Sequence, residues 1–548
     1  MPHDESSMRS ESAAPRLTEW HTLVAAFYGA LVAGIVYSYS TYSNALQDAF
    51  RLSEADKNSV GIAAIAYNFC SFTNGFLLDC TSVQFCCILG GLLMLVSYGL
   101  LGAIALHHVE VDQPVAAFCI FMALGNYGAS FLIASTYTVL AKNFTEERGE
   151  RSAVVSMVKS WQGMASGVGT AIFVGLFPSA DNDPQRLGFL YFLAIVGGIL
   201  PMVIAPVLRP LPLDDGPRRQ LLLPCQWRPV VGFGLSLVLI VATLSSAVFE
   251  AAHISLMLPG VLVLPFIFML PRSLLQASRI QPQVEESFLS TSGHTAVANI
   301  RTASPWEGGP RDMMERPEFF ILWLNAFALQ SGGLFLTTNL GSMVASRSGW
   351  KPSAATAVTI FSCAQSLARL VTGNLSNILV KRRLPRTWYL CLLAAIMALA
   401  HFCLCLSGGA ALCLGTALSG FAFGSSFPLF VIIVAEIFGP SRVASNYMIF
   451  DGTPGGCGAV IFAKVLARHV YSSHQGPDGK CYGDDCFRLS HAALLVLQLV
   501  AIVLGAILSC RVHPIYQVIT GNVKQRATKA MEPLPFPAEA VLAENRFG

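Results

Sequence analysis

The sequence predicts an all-α integral membrane protein of about fourteen spans: two six-helix bundles with two extra central helices between them. Three observations carry that prediction. Of 548 residues, 54% are hydrophobic and 12% charged, against about 25% charged in an ordinary soluble domain. Apolar stretches of the roughly 20 residues a bilayer requires recur along the whole chain. A polar stretch from Arg272 to Arg316, carrying Ser287, Ser290, Thr291, Ser292, Gly293 and Pro305, divides those stretches into two blocks.

The composition also excludes several classes of function. A soluble enzyme is incompatible with the hydropathy. The net charge of +3 is spread over short loops, which argues against a nucleic-acid partner. The fifteen cysteines lie mostly in apolar runs, where a thiol behaves as a small hydrophobe, and no CxxC pairs with another at zinc spacing. No metal and no cofactor is expected. Neither HExxH nor GxSxG occurs in a span, so an intramembrane enzyme is disfavoured.

Taken in order, residues 1–19 form a polar tail with Asp4, Glu5 and Glu11, which lacks the basic start and apolar core of a secretory signal. The first bundle, 20–209, has spans near 21–43, 57–80, 84–106, 114–141, 152–177 and 187–208. Residues 210–271 hold two further runs, 230–249 and 255–271, the second short and interrupted by Pro259 and Pro265. The linker, 272–318, precedes the second bundle, 319–511, with spans near 319–345, 353–379, 387–407, 410–438, 442–467 and 489–510. A tail, 512–548, carries Lys524, Arg526 and Lys529.

Basic residues remain on the cytoplasmic side of short loops. Lys142, Arg148, Arg151, Arg218, Arg219, Arg228 and Lys381 through Arg383 collect on one side, which places both termini in the cytoplasm. The plasma membrane is the expected location, with an organelle membrane as the alternative, and a monomer is the expected state. Cys481 and Cys486 are then the thiols expected in an outside loop, where they either form a disulfide or stay free.

The halves contain an internal match. Gly75-Phe76-Leu77-Leu78-Asp79 aligns with Gly373-Asn374-Leu375-Ser376-Asn377, each at the cytoplasmic end of the second helix of its half. Both are similar to the start of the signature loop of the major facilitator superfamily, in which glycine permits close helix approach and the acid tethers neighbouring helices. The basic residues that usually follow are replaced by Cys80, Thr81 and Ser82.

The stretches Asn143-Phe144-Thr145-Glu146-Glu147-Arg148-Gly149, Val158-Lys159-Ser160-Trp161-Gln162-Gly163, Tyr42-Ser43-Asn44-Ala45-Leu46 and Cys481-Tyr482-Gly483 through Cys486 resemble the nodulin-like branch of that superfamily. In the second half, Ala368-Arg369-Leu370-Val371-Thr372-Gly373 and Gly420-Phe421-Ala422-Phe423-Gly424 resemble monocarboxylate transporters. The latter resemblance implies that Arg369 binds a substrate carboxylate. Two positions depart from it: Gln365 stands where an acid is usual, and the first span offers Tyr39, Ser40, Thr41 and Tyr42 without a lysine.

Charges within spans are the candidate functional groups, because centring one in a bilayer costs about 2.5–3.5 kcal/mol. Arg369 falls about ten residues from its span end, about 15 Å deep at about 1.5 Å per residue. It either grips a substrate anion, with Gln365 beside it, or forms a structural ion pair. Asp451 reaches a similar depth and is the expected partner of Arg369, as proton acceptor or as fixed counter-ion. Gly452 through Gly456, with Pro454, either interrupt the helix there or mark only a kink or tight packing. Lys159 either binds an anion or snorkels to the surface.

Asp79, Arg148, Glu436 and Arg442 sit near cytoplasmic helix ends and are expected to gate or to bridge the bundles. Tyr37, Tyr39, Tyr42, Tyr67, Asn68, Asn126, Tyr127, Gln330 and Asn339 either line a polar path or pack, and His253 and His401 read as isolated. The partners are therefore a small solute, with carriage of a proton as the open question, and the bilayer. The mechanism expected is alternating access of two bundles around a midplane site, with another small solute, or a nutrient sensor, as the alternative.

Overall fold

The computed structural model describes residues 17–35, 39–144, 150–177, 184–211, 227–249, 261–268, 306–352, 354–476 and 481–531. Among them no strand is present. The first half contains α1 (Glu19–Ile35), α2 (Tyr39–Phe50), α3 (Glu54–Ala66), α4 (Phe72–Cys80), α5 (Val83–Ala105), α6 (Pro114–Asn143), α7 (Glu150–Leu176) and α8 (Phe189–Ile204). An extra helix, α9 (Trp227–Phe249), follows. The second half contains α10 (Pro310–Met314), α11 (Pro317–Ser346), α12 (Ala354–Lys381), α13 (Thr387–Cys405), α14 (Gly409–Ile437), α15 (Val443–Gly458), a π-helical stretch (Ala459–Leu466), α16 (Ala467–Ser473) and α17 (Asp485–Met531).

Helix starts follow local chemistry. Ser53 opens α3 with a capping box: its hydroxyl accepts from the Asp56 N–H at 3.1 Å, and Asp56 accepts from the Ser53 N–H at 3.3 Å. Pro114 and Pro317 stand in the first helical turn, where a missing N–H has no cost.

Among the described residues eight helices are long and apolar enough to cross a membrane, or nine if a bent pair counts as one span. That is fewer than the fourteen apolar runs, for identifiable reasons. The run at 21–43 is described only as α1 and the start of α2, with residues 36–38 outside the described residues. The run at 57–80 bends by 41° between α3 and α4. The Ser71 and Thr73 hydroxyls donate to the Asn68 and Cys70 carbonyls at 3.0 and 2.6 Å at that break, satisfying groups the helix no longer serves. Helices α7 and α12 have 27 and 28 residues but are not among the eight. Of the run at 255–271 only 261–268 is described, and most of the linker lies outside the described residues. The last helix continues to Met531, beyond the apolar run that ends at 510.

The outer surface is a belt of exposed aliphatics, among them Val203, Leu489, Val496 and Val503, as a lipid-facing wall requires. Within the first half α5 packs on α6 and α8, and α1 on α6 and α7. Within the second, α12 packs on α14, α13 on α14 and α17, and α11 on α15 and α17. The halves meet through α7 with α12 and α4 with α15. Counted by the six apolar runs of each half, each contact joins the second run of one half (α4 or α12) to the fifth run of the other (α15 or α7), so the seam has approximate two-fold symmetry. Helix α9 lies against both α7 and α12, and Trp161 Nε1 donates to Ser236 Oγ at 2.9 Å to hold it there.

Pro454 lies inside α15 without interrupting it, and Gly452 and Gly455 are packed tightly against Ser71 and Gln330, so of the two readings close packing holds. A proline lacks the N–H that the carbonyl four residues earlier would receive. Gln330 Nε2 supplies the missing donor to the Phe450 carbonyl at 2.9 Å, so the freed group binds α15 to α11 rather than a cavity. The isolated-histidine reading of His401 is also corrected: His401 Nδ1 lies 3.2 Å from His491 Nδ1, and both rings are buried.

Candidate functional site

The seam is built from the repeated motif. Gly75 faces the backbone of α15, where a Cβ would lie 2.5 Å from the Ala444 carbonyl oxygen. Asp79, one turn on, accepts from the Ser445 N–H at 3.2 Å and from its hydroxyl. In the other copy Gly373 faces Ser152, its N–H donates to Ser156 Oγ at 2.8 Å, and Asn377 Nδ2 donates to Ser152 Oγ at 2.7 Å. Ser152 and Ser445 are each the third residue of a fifth helix. The same three parts, a glycine, an acid or amide four residues later, and a serine on the opposite half, close the seam twice.

Asn377 is itself held from behind. Arg386 donates to Asn377 Oδ1, to Ser376 Oγ at 2.7 Å and to Glu436 at 2.7 Å, and Tyr516 donates to the other Glu436 oxygen at 2.6 Å. Glu436 therefore works inside the second half and supports the seam through Arg386, rather than crossing it as expected. Arg442 stands at the start of α15 and shares a cavity of about 460 Å³ with Asp79 and Lys142. Arg148 lies outside the described residues.

Deeper along the seam three charged side chains converge. Lys159 on α7 is 1% exposed, Arg369 on α12 is 4% exposed, and the Asp451 side chain on α15 is 8% exposed. Lys159 Nζ lies 3.3 Å from Asp451 Oδ1, so one ion pair joins the two bundles. This corrects the expected Arg369–Asp451 pairing, and Lys159 does not snorkel. The Tyr447 hydroxyl also donates to Asp451 Oδ1. Lys159 Nζ donates to Gln162 Oε1 at 3.1 Å, as does the Tyr137 hydroxyl at 2.9 Å.

Arg369 crosses the seam as well, donating to the Lys159 carbonyl at 3.4 Å, and it donates to Gln365 Oε1 at 3.3 Å. Gln365 thus fills with a neutral acceptor the place where an acid would neutralise the guanidinium.

Aromatic faces complete the site. Lys159 Nζ sits 3.9 Å from the Tyr137 ring centroid, 5.3 Å from Tyr447 and 5.6 Å from Phe427, and Arg369 Cζ sits 4.8 Å from Phe427. A ring quadrupole attracts cations most when water is excluded. Two cations meet one carboxylate in this desolvated setting. Removing either partner of a buried pair costs about 3–5 kcal/mol because the survivor is left uncompensated.

Tyr137, Tyr447 and Phe427 carry no sequence signal, since an aromatic in an apolar helix reads as packing. Gln162 does carry one, in the Val158–Gly163 stretch. The polar residues suggested as a path mostly tie helices together: Tyr98 donates to Asn126, Asn126 to the Ala64 carbonyl, and Asn339 to the Ala463 carbonyl. Tyr37 lies outside the described residues. Cys481 and Cys486 are bonded, on the same face as the Arg347–Asp484 ion pair at 3.4 Å.

Residues 19–273 match the nodulin-like family model. The chain is 22% identical over 544 residues to the protein NUCLEAR FUSION DEFECTIVE 4 of Arabidopsis thaliana, covering 91% of this chain and 90% of that one. Among solved structures it resembles the major facilitator superfamily proton:xylose symporter XylE with a TM-score of 0.56 at 13% identity, covering 88% of this chain and 94% of that one. It also resembles a bacterial homologue of the human drug peptide transporters PepT1 and PepT2, with a TM-score of 0.50 at 12% identity over 91% and 99% of the chains.

Proposed function

We propose that this chain, nodulin-like over residues 19–273 and built on the major facilitator fold, is a secondary transporter that carries a small carboxylate by alternating access. The observation that carries the reading is the meeting of Lys159 and Arg369, from opposite bundles, beside one carboxylate, Asp451, in a buried aromatic setting. A substrate anion fits between two cations, and Arg369 offers it two parallel N–H bonds.

Asp451 is the coupling group. Protonating it removes the countercharge from Lys159, which then turns to the substrate; losing the proton restores the pair and expels the anion. The ligand binds where the halves meet and so shifts the balance between two packings of the seam. The cytoplasmic face is the one bearing Asp79, Lys142 and Arg442, fourteen spans return both termini to it, and the closure seen there is the outward-facing state. A proton-coupled symporter of the same fold is consistent with this reading.

The test is uptake of labelled mono- and dicarboxylates into liposomes containing the purified protein, at two pH gradients, beside Arg369→Gln. Saturable uptake that requires Arg369 supports the proposal. No uptake of any acid by well-folded protein removes the carboxylate and directs attention to other solutes or to sensing.

A further inference from the structure

The cavity of about 460 Å³ on the face that carries Asp79 is lined by none of Lys159, Arg369 and Asp451, and it takes no part in the transport steps above. Its volume falls within the range of small-ligand sites. One wall comes from the first half, with Thr81 and Ser82 before α5 and Lys142 at the end of α6; the other comes from the second half, with Ser441 and Arg442 before α15.

The charge balance of this cavity favours an anion. Asp79 is the acid on the lining, and its Oδ2 is already engaged by the Ser445 N–H and hydroxyl. Lys142 and Arg442 form no ion pair among the described residues. Two hydroxyls, from Ser82 and Ser441, and the Val83 and Gln84 N–H groups that open α5 add donors of the kind that bind phosphate oxygens, while the Thr81 hydroxyl is taken by the Leu77 carbonyl at 2.6 Å.

We infer that this cavity is a regulatory site for a phosphate-bearing anion, either a free phosphate or a phosphorylated lipid headgroup. Because its cations belong to opposite halves, the bound anion fastens the seam shut on this face and holds the protein in the closed packing described above. The effect on turnover rests on the alternating-access reading; the binding itself does not.

The experiment places the full-length protein in phosphatidylcholine nanodiscs and follows its unfolding temperature. Inorganic phosphate is titrated against chloride at equal ionic strength, and in a second arm phosphatidic acid is included in the disc. A saturable rise of several degrees in either arm is expected, and the arm that responds identifies the source. The rise should vanish in K142Q/R442Q and persist in K142R/R442K. Ser82→Glu, which keeps both cations and puts a carboxylate in the cavity, should also abolish it. Absence of a rise in both arms, or a rise undiminished in Ser82→Glu, overturns the site. A rise without slower transport leaves the site standing and counts against alternating access.

Discussion

Arg369 and Asp451 lie at similar depth, yet Asp451 pairs with Lys159 at 3.3 Å. Depth along a helix is readable from sequence; the azimuth at which two helices from different bundles face each other is not. The three charges were therefore legible as intramembrane exceptions, whereas their partnership and the aromatic faces of Tyr137, Tyr447 and Phe427 were not. The pairing makes a thermodynamic prediction. Lys159→Met should lower the unfolding temperature by stranding Asp451, and the double variant Lys159→Met/Asp451→Leu should recover much of the loss while abolishing transport. A double variant less stable than either single would contradict the pair. At Arg369, loss of a charged hydrogen bond worth about 1.5–3 kcal/mol predicts that Arg369→Gln raises KM for a carboxylate by about 10- to 150-fold, measured as initial uptake rates. Arg369→Lys should recover only part of that, because an ammonium cannot form the paired bonds.

The glycines of the seam and the proline of α15 act at the scale of elements. The Gly75–Asp79 and Gly373–Asn377 repeat was legible because both copies use the same spacing, and the structure gives both the same neighbour, a serine on the opposite fifth helix. The break between α3 and α4 was hidden because the polar residues of Tyr67-Asn68-Phe69-Cys70-Ser71-Phe72-Thr73-Asn74 read equally well as the lining of one continuous span. Likewise, Gly452 through Gly456 left open an interruption that the Gln330 side chain makes unnecessary. Gln330→Leu strands the Phe450 carbonyl and should destabilise the second half by about 1–3 kcal/mol, read from thermal unfolding. Gly373→Leu cannot fit against Ser152, so it should open the seam on the Asp79 face. Thiol labelling of a cysteine placed at Ser156 from that side should accelerate, and unchanged labelling would contradict the seam geometry.

Across the whole molecule, the approximate two-fold relation of α7 with α12 and α4 with α15 puts the buried ion pair at the seam between the halves, where the proposed alternating access would make and break it. An ion pair between rigid halves is a device with two arrangements, made and broken, and a proton can select between them. The two-bundle plan and the dividing polar stretch were visible in composition alone. The placement of α9 across α7 and α12 was not, since nothing in an apolar run specifies its neighbours. The most direct test of the central claim compares wild type with Asp451→Asn in proteoliposomes loaded with a carboxylate, under an imposed pH gradient and then in exchange without one. The account predicts that the variant still exchanges internal for external carboxylate but no longer accumulates it in response to the gradient. Gradient-driven accumulation by Asp451→Asn equal to wild type would contradict it.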